Sequence, residues 1–181
     1  MLRHIIHVEY PAWVEKTVDW NRRYSTDEEK MELAVELSRL NVQRRTGEPF
    51  GAAIFRSDTG ELAAVGMSQV TLGNNSVLHA EVVAIMMAEQ RLQVYNLRVA
   101  GQPYELIASC EPCAMCLGAT HWSAVTRLVC GATREDAQRI GFDEGPVFPK
   151  SYSPLPRLRS ERTERTERSK CGNVPILCGL I

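Results

Sequence analysis

His79-Ala80-Glu81-Val82-Val83-Ala84-Ile85-Met86-Met87 and Leu106-Ile107-Ala108-Ser109-Cys110-Glu111-Pro112-Cys113-Ala114-Met115-Cys116 decide how this chain folds. The first stretch opens a helix over 79–93 whose interior is apolar nearly all round, so it belongs inside the molecule. The second is a strand at 106–108 that runs into a short helix over 113–123. Two helices that each follow a strand, with their first residues carrying His, Glu and Cys, place metal-ligating groups at the carboxyl edge of a sheet. Working outward, Val125 to Cys130 reads as the next strand and Arg134 to Ile140 as a further helix.

Toward the N-terminus, Thr26-Asp27-Glu28-Glu29 forms a capping box, because a Thr side chain and a Glu three residues on each satisfy a free backbone N–H. Met31, Ala34, Val35, Leu37, Leu40 and Val42 then recur at helical spacing until Gly47 and Pro49 end the run. Phe50 to Phe55 is a short apolar strand, Ser57-Asp58-Thr59-Gly60 a turn, and Glu61 to Thr71 the return strand of a hairpin. The order α-β-β-α-β-α-β-α predicts an α/β fold, a three-layer α/β/α sandwich on a mixed sheet, expected to reach five strands.

The chain is expected to hold an N-terminal arm over 1–25, one domain over 26–150, and a tail over 151–181, irregular or partly helical. Tyr10, Trp13, Trp20 and Tyr24 suit the arm to packing on the domain or on a partner. Past Pro149 the Glu-Arg-Thr repeat of 160–168 reads as a solvated helix or a disordered tail. A formal net charge of −1 argues against a broad nucleic-acid surface, which needs excess Lys and Arg. No apolar run nears the roughly 18 residues of a membrane span, and the first residues do not read as a signal peptide. A cytoplasmic protein is the expectation.

Of the six cysteines, Cys110, Cys113 and Cys116 cluster, which in a reducing compartment points to metal or redox chemistry before disulfides. Cys113 and Cys116 fit one turn at a helix start, where the dipole favours thiolates. With His79 they make three N/S ligands, leaving zinc a fourth position for water, the pattern of a catalytic site. Zinc brings the pKa of such a water to about 7, and Glu81 is placed to carry its proton to a leaving amine. A closed structural site with Cys110 as fourth ligand is the alternative, and His121 another conceivable ligand.

His79-x-Glu81 followed by Pro112-Cys113-x-x-Cys116 resembles the signature of the zinc-dependent cytidine deaminase superfamily. Over roughly 26–148, Glu48-Pro49-Phe50-Gly51-Ala52-Ala53-Ile54, Ser109 to Ala119 and Ile140-Gly141-Phe142-Asp143-Glu144-Gly145 look like the bacterial guanine deaminase branch, closest to members that also accept amino-triazines. The resemblance implies a cytidine-deaminase-like fold, a Zn²⁺ cofactor and a small heterocyclic amine as substrate. It implies a homodimer as well, and hydrolytic deamination of guanine or a related amino-purine or amino-triazine. It assigns Glu144 to the guanine edge and Ala80 to backbone contact with the ring; without the resemblance, Glu144 reads as an exposed loop carboxylate. Phe50 and Trp122 are candidates to sandwich the ring, or core aromatics. The family's usual Asn falls at Ser68, which puts the identity of the ring in question. Deamination of cytosine, cytidine or tRNA adenosine, and a zinc-binding partner without activity of its own, are the competing readings.

Overall fold

The computed structural model describes residues 5–148 and 159–162. In chain order these form α1 (Val14–Thr17), α2 (Asp27–Gln43), β1 (Gly51–Arg56), β2 (Leu62–Met67), α3 (Val70–Gly73), α4 (Ala80–Leu92), β3 (Tyr104–Cys110), α5 (Ala114–Ser123), β4 (Arg127–Ala132), α6 (Arg134–Arg139) and β5 (Arg159–Arg162). The sheet order is β2-β1-β3-β4-β5. β1 is antiparallel to both β2 and β3, whereas β3, β4 and β5 run parallel, so the sheet is mixed. Four strands carry the body of the fold and short β5 extends its edge.

Alternation along β1 divides the core into two layers, as side chains of period two must. Ala52 and Ile54 face α4, packing with Ala80, Ala84, Ile85, Ala88, Leu106 and Leu128. Ala53 and Phe55 face α2, packing with Met31, Ala34, Leu37, Val65, Ile107 and Val129. Helices therefore cover both faces, and the three-layer sandwich of the sequence reading is the observed architecture.

The arm docks on the α2 layer. Val14, Val18 and Tyr24 are buried there, Trp13 and Trp20 pack against it, and the Tyr10 hydroxyl donates to Val65 O at 3.0 Å. At the other end of α2, Lys30 Nζ meets Glu105 Oε1 at 2.6 Å with both side chains almost fully buried. Arg127 Nη1 reaches Glu105 Oε2 at 2.7 Å, and its guanidinium also pairs with Asp27. This network ties α2 to β3 and β4.

Two elements differ from expectation. The return strand stops at Met67, because Gln69 N–H bonds Leu78 O at 2.9 Å and the β-branched Val70 and Thr71 close into α3. Tertiary pairing overrides strand propensity there. In the tail, Arg159–Arg162 pairs with β4 as a strand instead of forming a helix; the rest of the Glu-Arg-Thr repeat and the Cys171–Ile181 segment lie outside the described residues.

Gly66 sets how closely α4 lies on β2. A Cβ built there would sit 2.1 Å from Ala80 O and 2.5 Å from Ala84 N. The first turn of α4, which carries Glu81, is thus seated directly on strand backbone.

Candidate active site

Two helix starts converge beyond the carboxyl end of β3. His79 is the N-cap of α4, with extended backbone and no side-chain cap, so its imidazole is left available. Cys113 is the N-cap of α5, and its sulfur accepts the Cys116 N–H at 3.4 Å. Helix N-termini favour negative charge, which suits thiolates and carboxylates there.

His79, Cys113 and Cys116 offer ligand atoms that all lie within 4.8 Å of one another. His79 Nδ1 stands 3.6 Å from Cys113 Sγ. A tetrahedron with Zn–N of about 2.0–2.1 Å and Zn–S of about 2.3 Å has an N–S edge of about 3.6 Å, so the residues fit such an ion. Cys110 is not in this group; its thiol points to Thr133 O at 3.6 Å and burial raises its pKa. His121 is not in the group either.

A hydrogen bond from Cys116 holds the Cys113 thiol down to about 4, with His79 adding to the effect. Cys116 is pushed up by the same bond and by burial. His79 is raised by its bond to Cys113. Burial pushes the Glu81 carboxyl up.

These groups border one cavity of about 260 Å³. Its lining includes His79, Ala80, Glu81, Phe50, Ser68 and Glu144, which are all but three of the residues singled out in the sequence. Cys113 and Cys116 do not line it; they stand in the group with His79 that could hold a metal ion. Trp122 is the one that does not belong: it is 78 % exposed on α5, edge-on to His121, and does not line the cavity. Its place is taken by Phe142, whose ring meets Phe50 edge-to-face at 4.8 Å and 84°. Glu144 is buried, and desolvation raises its carboxyl to about 7. The loop that carries it starts from α6, capped by Thr133 and Asp136, and Phe142 N–H bonds Ala137 O at 3.1 Å.

Sequence reasoning missed Phe142 and Glu48. Glu48 lines the cavity and accepts a hydrogen bond from Ser68 Oγ at 2.6 Å. The signal for Phe142 was the Gly-Phe-Asp segment itself. For Glu48 it was a lone carboxylate directly before Pro49-Phe50.

Residues 24–132 match the family model described as the cytidine and deoxycytidylate deaminase zinc-binding region. Guanine deaminase of Bacillus subtilis is 36% identical over 133 residues, which is 74% of this chain and 79% of that protein. A solved guanine deaminase from Nitrosomonas europaea superposes with a TM-score of 0.88 at 32% identity, covering 99% of this chain and 98% of that one. A tRNA-specific adenosine deaminase of Haemophilus influenzae is 29% identical over 119 residues, 66% of this chain and 65% of that protein.

Proposed function

We propose, from the premise that the chain belongs to the cytidine and deoxycytidylate deaminase family, that it hydrolytically deaminates guanine or a related amino-purine or amino-triazine and releases ammonia. The observation that carries this is the meeting, around one cavity, of the His79-Cys113-Cys116 set with buried Glu81 and buried Glu144. The similarity to guanine deaminases over most of the chain supports the choice of ring. A solved relative complexed with 8-azaguanine, with a TM-score of 0.88 and 33% identity over 98% of this chain and 97% of that one, points the same way.

His79, Cys113 and Cys116 would hold zinc. When bound, it supplies Lewis acidity that brings a water's pKa to about 7. Everything else falls to the chain's own side chains. Glu81, kept basic by desolvation, takes the proton from the attacking water and passes it to the departing nitrogen. A C–O bond forms at the amine-bearing carbon, the C–N bond breaks, and nitrogen leaves as ammonia. Glu144 accepts from the N–H donors beside the reacting carbon, since a carboxylate offers paired acceptors. Phe50 and Phe142, in edge-to-face contact with each other, give a flat ring one aromatic wall, and the Ala80 backbone lies against its edge. The cavity's volume is near the lower end for ligand sites and suits one or two rings.

The same reading makes the enzyme a cytoplasmic homodimer. Among the described residues no helix is long and apolar enough to cross a membrane. Tyr95 and Trp122 are exposed on adjoining segments, joined by Asn96 Nδ2 to Trp122 O at 2.6 Å, and such a surface suits a second copy. Sedimentation at micromolar concentration tests it, with a monomer as the contrary result.

The central test is ammonia release from guanine, ammeline, adenine, cytosine and their nucleosides by zinc-loaded protein. Guanine or ammeline is expected to lead. Turnover of cytidine-type substrates alone, or no turnover at all, would sink the reading.

A further inference from the structure

We infer that Glu48 is a specificity-determining residue of this cavity: a second recognition carboxylate that requires an N–H donor on the ring flank away from Glu144. The inference rests on the deaminase reading above and deepens it.

The argument starts from the sheet order. Glu48 and Ser68 flank the β1–β2 side, Glu48 three residues before Gly51 and Ser68 directly after Met67, and Gly51 and Met67 pair with each other. Glu144 follows α6, which follows β4, two strands across. Both carboxylates line the cavity, Glu48 from the β1–β2 side and Glu144 from the loop beyond β4.

Glu48 is held, but not neutralised. Ser68 Oγ donates to Oε2 at 2.6 Å, and the Thr71 N–H donates to Oε1 at 3.2 Å. Among the described residues no lysine or arginine forms an ion pair with it. Burial pushes its pKa up, yet the bonds from Ser68, Thr71 and its own backbone outweigh that and leave it lowered. An ionised carboxylate has about four acceptor positions. The protein takes only some of these positions, through Ser68 on Oε2 and Thr71 on Oε1, and the carboxylate lines the cavity.

The wall is built to stay in place. Buried Asn41 donates from Nδ2 to both Glu48 O at 2.8 Å and Ser68 O at 2.7 Å. Thr46 Oγ1 holds the Asn41 Oδ1 at 2.7 Å, and Trp13 Nε1 in turn holds Thr46 Oγ1 at 3.1 Å. Ser68 is accordingly a positioning residue, since its hydroxyl is committed to Glu48.

The ligand chemistry follows. With the N1 side of guanine on Glu144, the opposite flank presents N9–H. An amino-triazine presents a second exocyclic amine there. A carboxylate accepts from either, whereas a carbon substituent on that nitrogen removes the donor and collides with the carboxylate. The enzyme therefore selects free bases and rejects rings alkylated or ribosylated on that flank.

The test compares kcat/KM for guanine and 9-methylguanine, using zinc-loaded wild-type protein, Glu48→Ala and the isosteric Glu48→Gln. Wild type is expected to favour guanine at least about 30-fold. Glu48→Ala should lose about 10- to 100-fold on guanine, the range for a hydrogen bond to a charged group, with 9-methylguanine changed less than about threefold. Glu48→Gln should lose less on guanine and likewise spare the methylated base. Ser68→Ala should narrow the ratio in the same direction, and Ser68→Thr restore it. An equal loss on both substrates, an unchanged ratio, or wild-type turnover of 9-methylguanine or guanosine as fast as guanine overturns the assignment of Glu48 while leaving the deaminase reading intact. No ammonia from any base with wild type overturns that reading, and this inference with it.

Discussion

Replacing Gly66 by alanine tests whether the seat of α4 on β2 governs the reaction. The added Cβ would lie 2.1 Å from Ala80 O and 2.5 Å from Ala84 N, where ordinary contact begins at 3.4 Å. Both obstacles are backbone, so neither can swing aside. Strand and helix must part by about 1 Å, an overpacking that costs about 1–3 kcal/mol. For a domain of this size that lowers Tm by about 2–12 °C. The same displacement carries Glu81 and His79 off their positions, and a shift of about 1 Å at reacting groups costs about 100-fold in rate. The assays are thermal unfolding with excess zinc and ammonia release under kcat/KM conditions. Gly118→Ala is the control: a Cβ there meets nothing within 4 Å, so this α5 position should gain about 0.5–1 kcal/mol. Gly66→Ala protein that melts within about 1 °C of wild type and turns over within twofold would refute the reasoning.

Glu81→Gln should retain one zinc per chain by metal analysis while losing about 100-fold or more in kcat, the usual scale of general acid–base catalysis; wild-type turnover removes Glu81 from the proton path. Zinc added to chelator-stripped protein should release protons, since thiols must deprotonate to ligate the ion. Calorimetry in buffers of different ionisation enthalpy reads this, and identical heats across buffers would contradict it. Lys30→Met should cost about 3–5 kcal/mol in urea unfolding, because it strands part of the buried Glu105 charge; a loss under about 1 kcal/mol would show that Arg127 suffices. For Glu144 the folded pKa of about 7 lies above the ordinary carboxyl value. Its contribution to stability is therefore present below about pH 4.5 and is lost as pH rises toward 7. Glu144→Gln should flatten the stability profile over that window, measured in chelator-stripped protein, and an unaltered slope would count against a buried, raised carboxyl.

The candidate reacting groups were legible because their chemistry is local in sequence. His79 and Glu81 share one helix start, Cys113 and Cys116 another, and the spacing alone puts each pair on a turn. The layers were legible because β1 and α2 alternate apolar positions with different periods. What stayed hidden depends on which distant segments meet. Ser68 was visible as a departure, but its bond to Glu48 joins residues twenty positions apart. Phe142 reaches Phe50 only through the loop after α6. Trp122 misled because aromatic character says nothing about the side of α5 it occupies. Val70 and Thr71 misled because their β-branched side chains suit a strand, whereas the backbone there has already turned into α3.

Glu81, His79, Cys113 and Cys116 stand at or beside helix starts clamped to the sheet, whereas Glu48, Ser68 and Glu144 hang on three connecting loops. This division makes substrate range and reaction separable under mutation. A lineage carrying this framework can exchange one ring for another through a few loop substitutions, each tolerated by a core that never registers the change. Divergence within such a scaffold should therefore accumulate in the connections after α2, β2 and α6, and directed variation aimed at new amines would begin there.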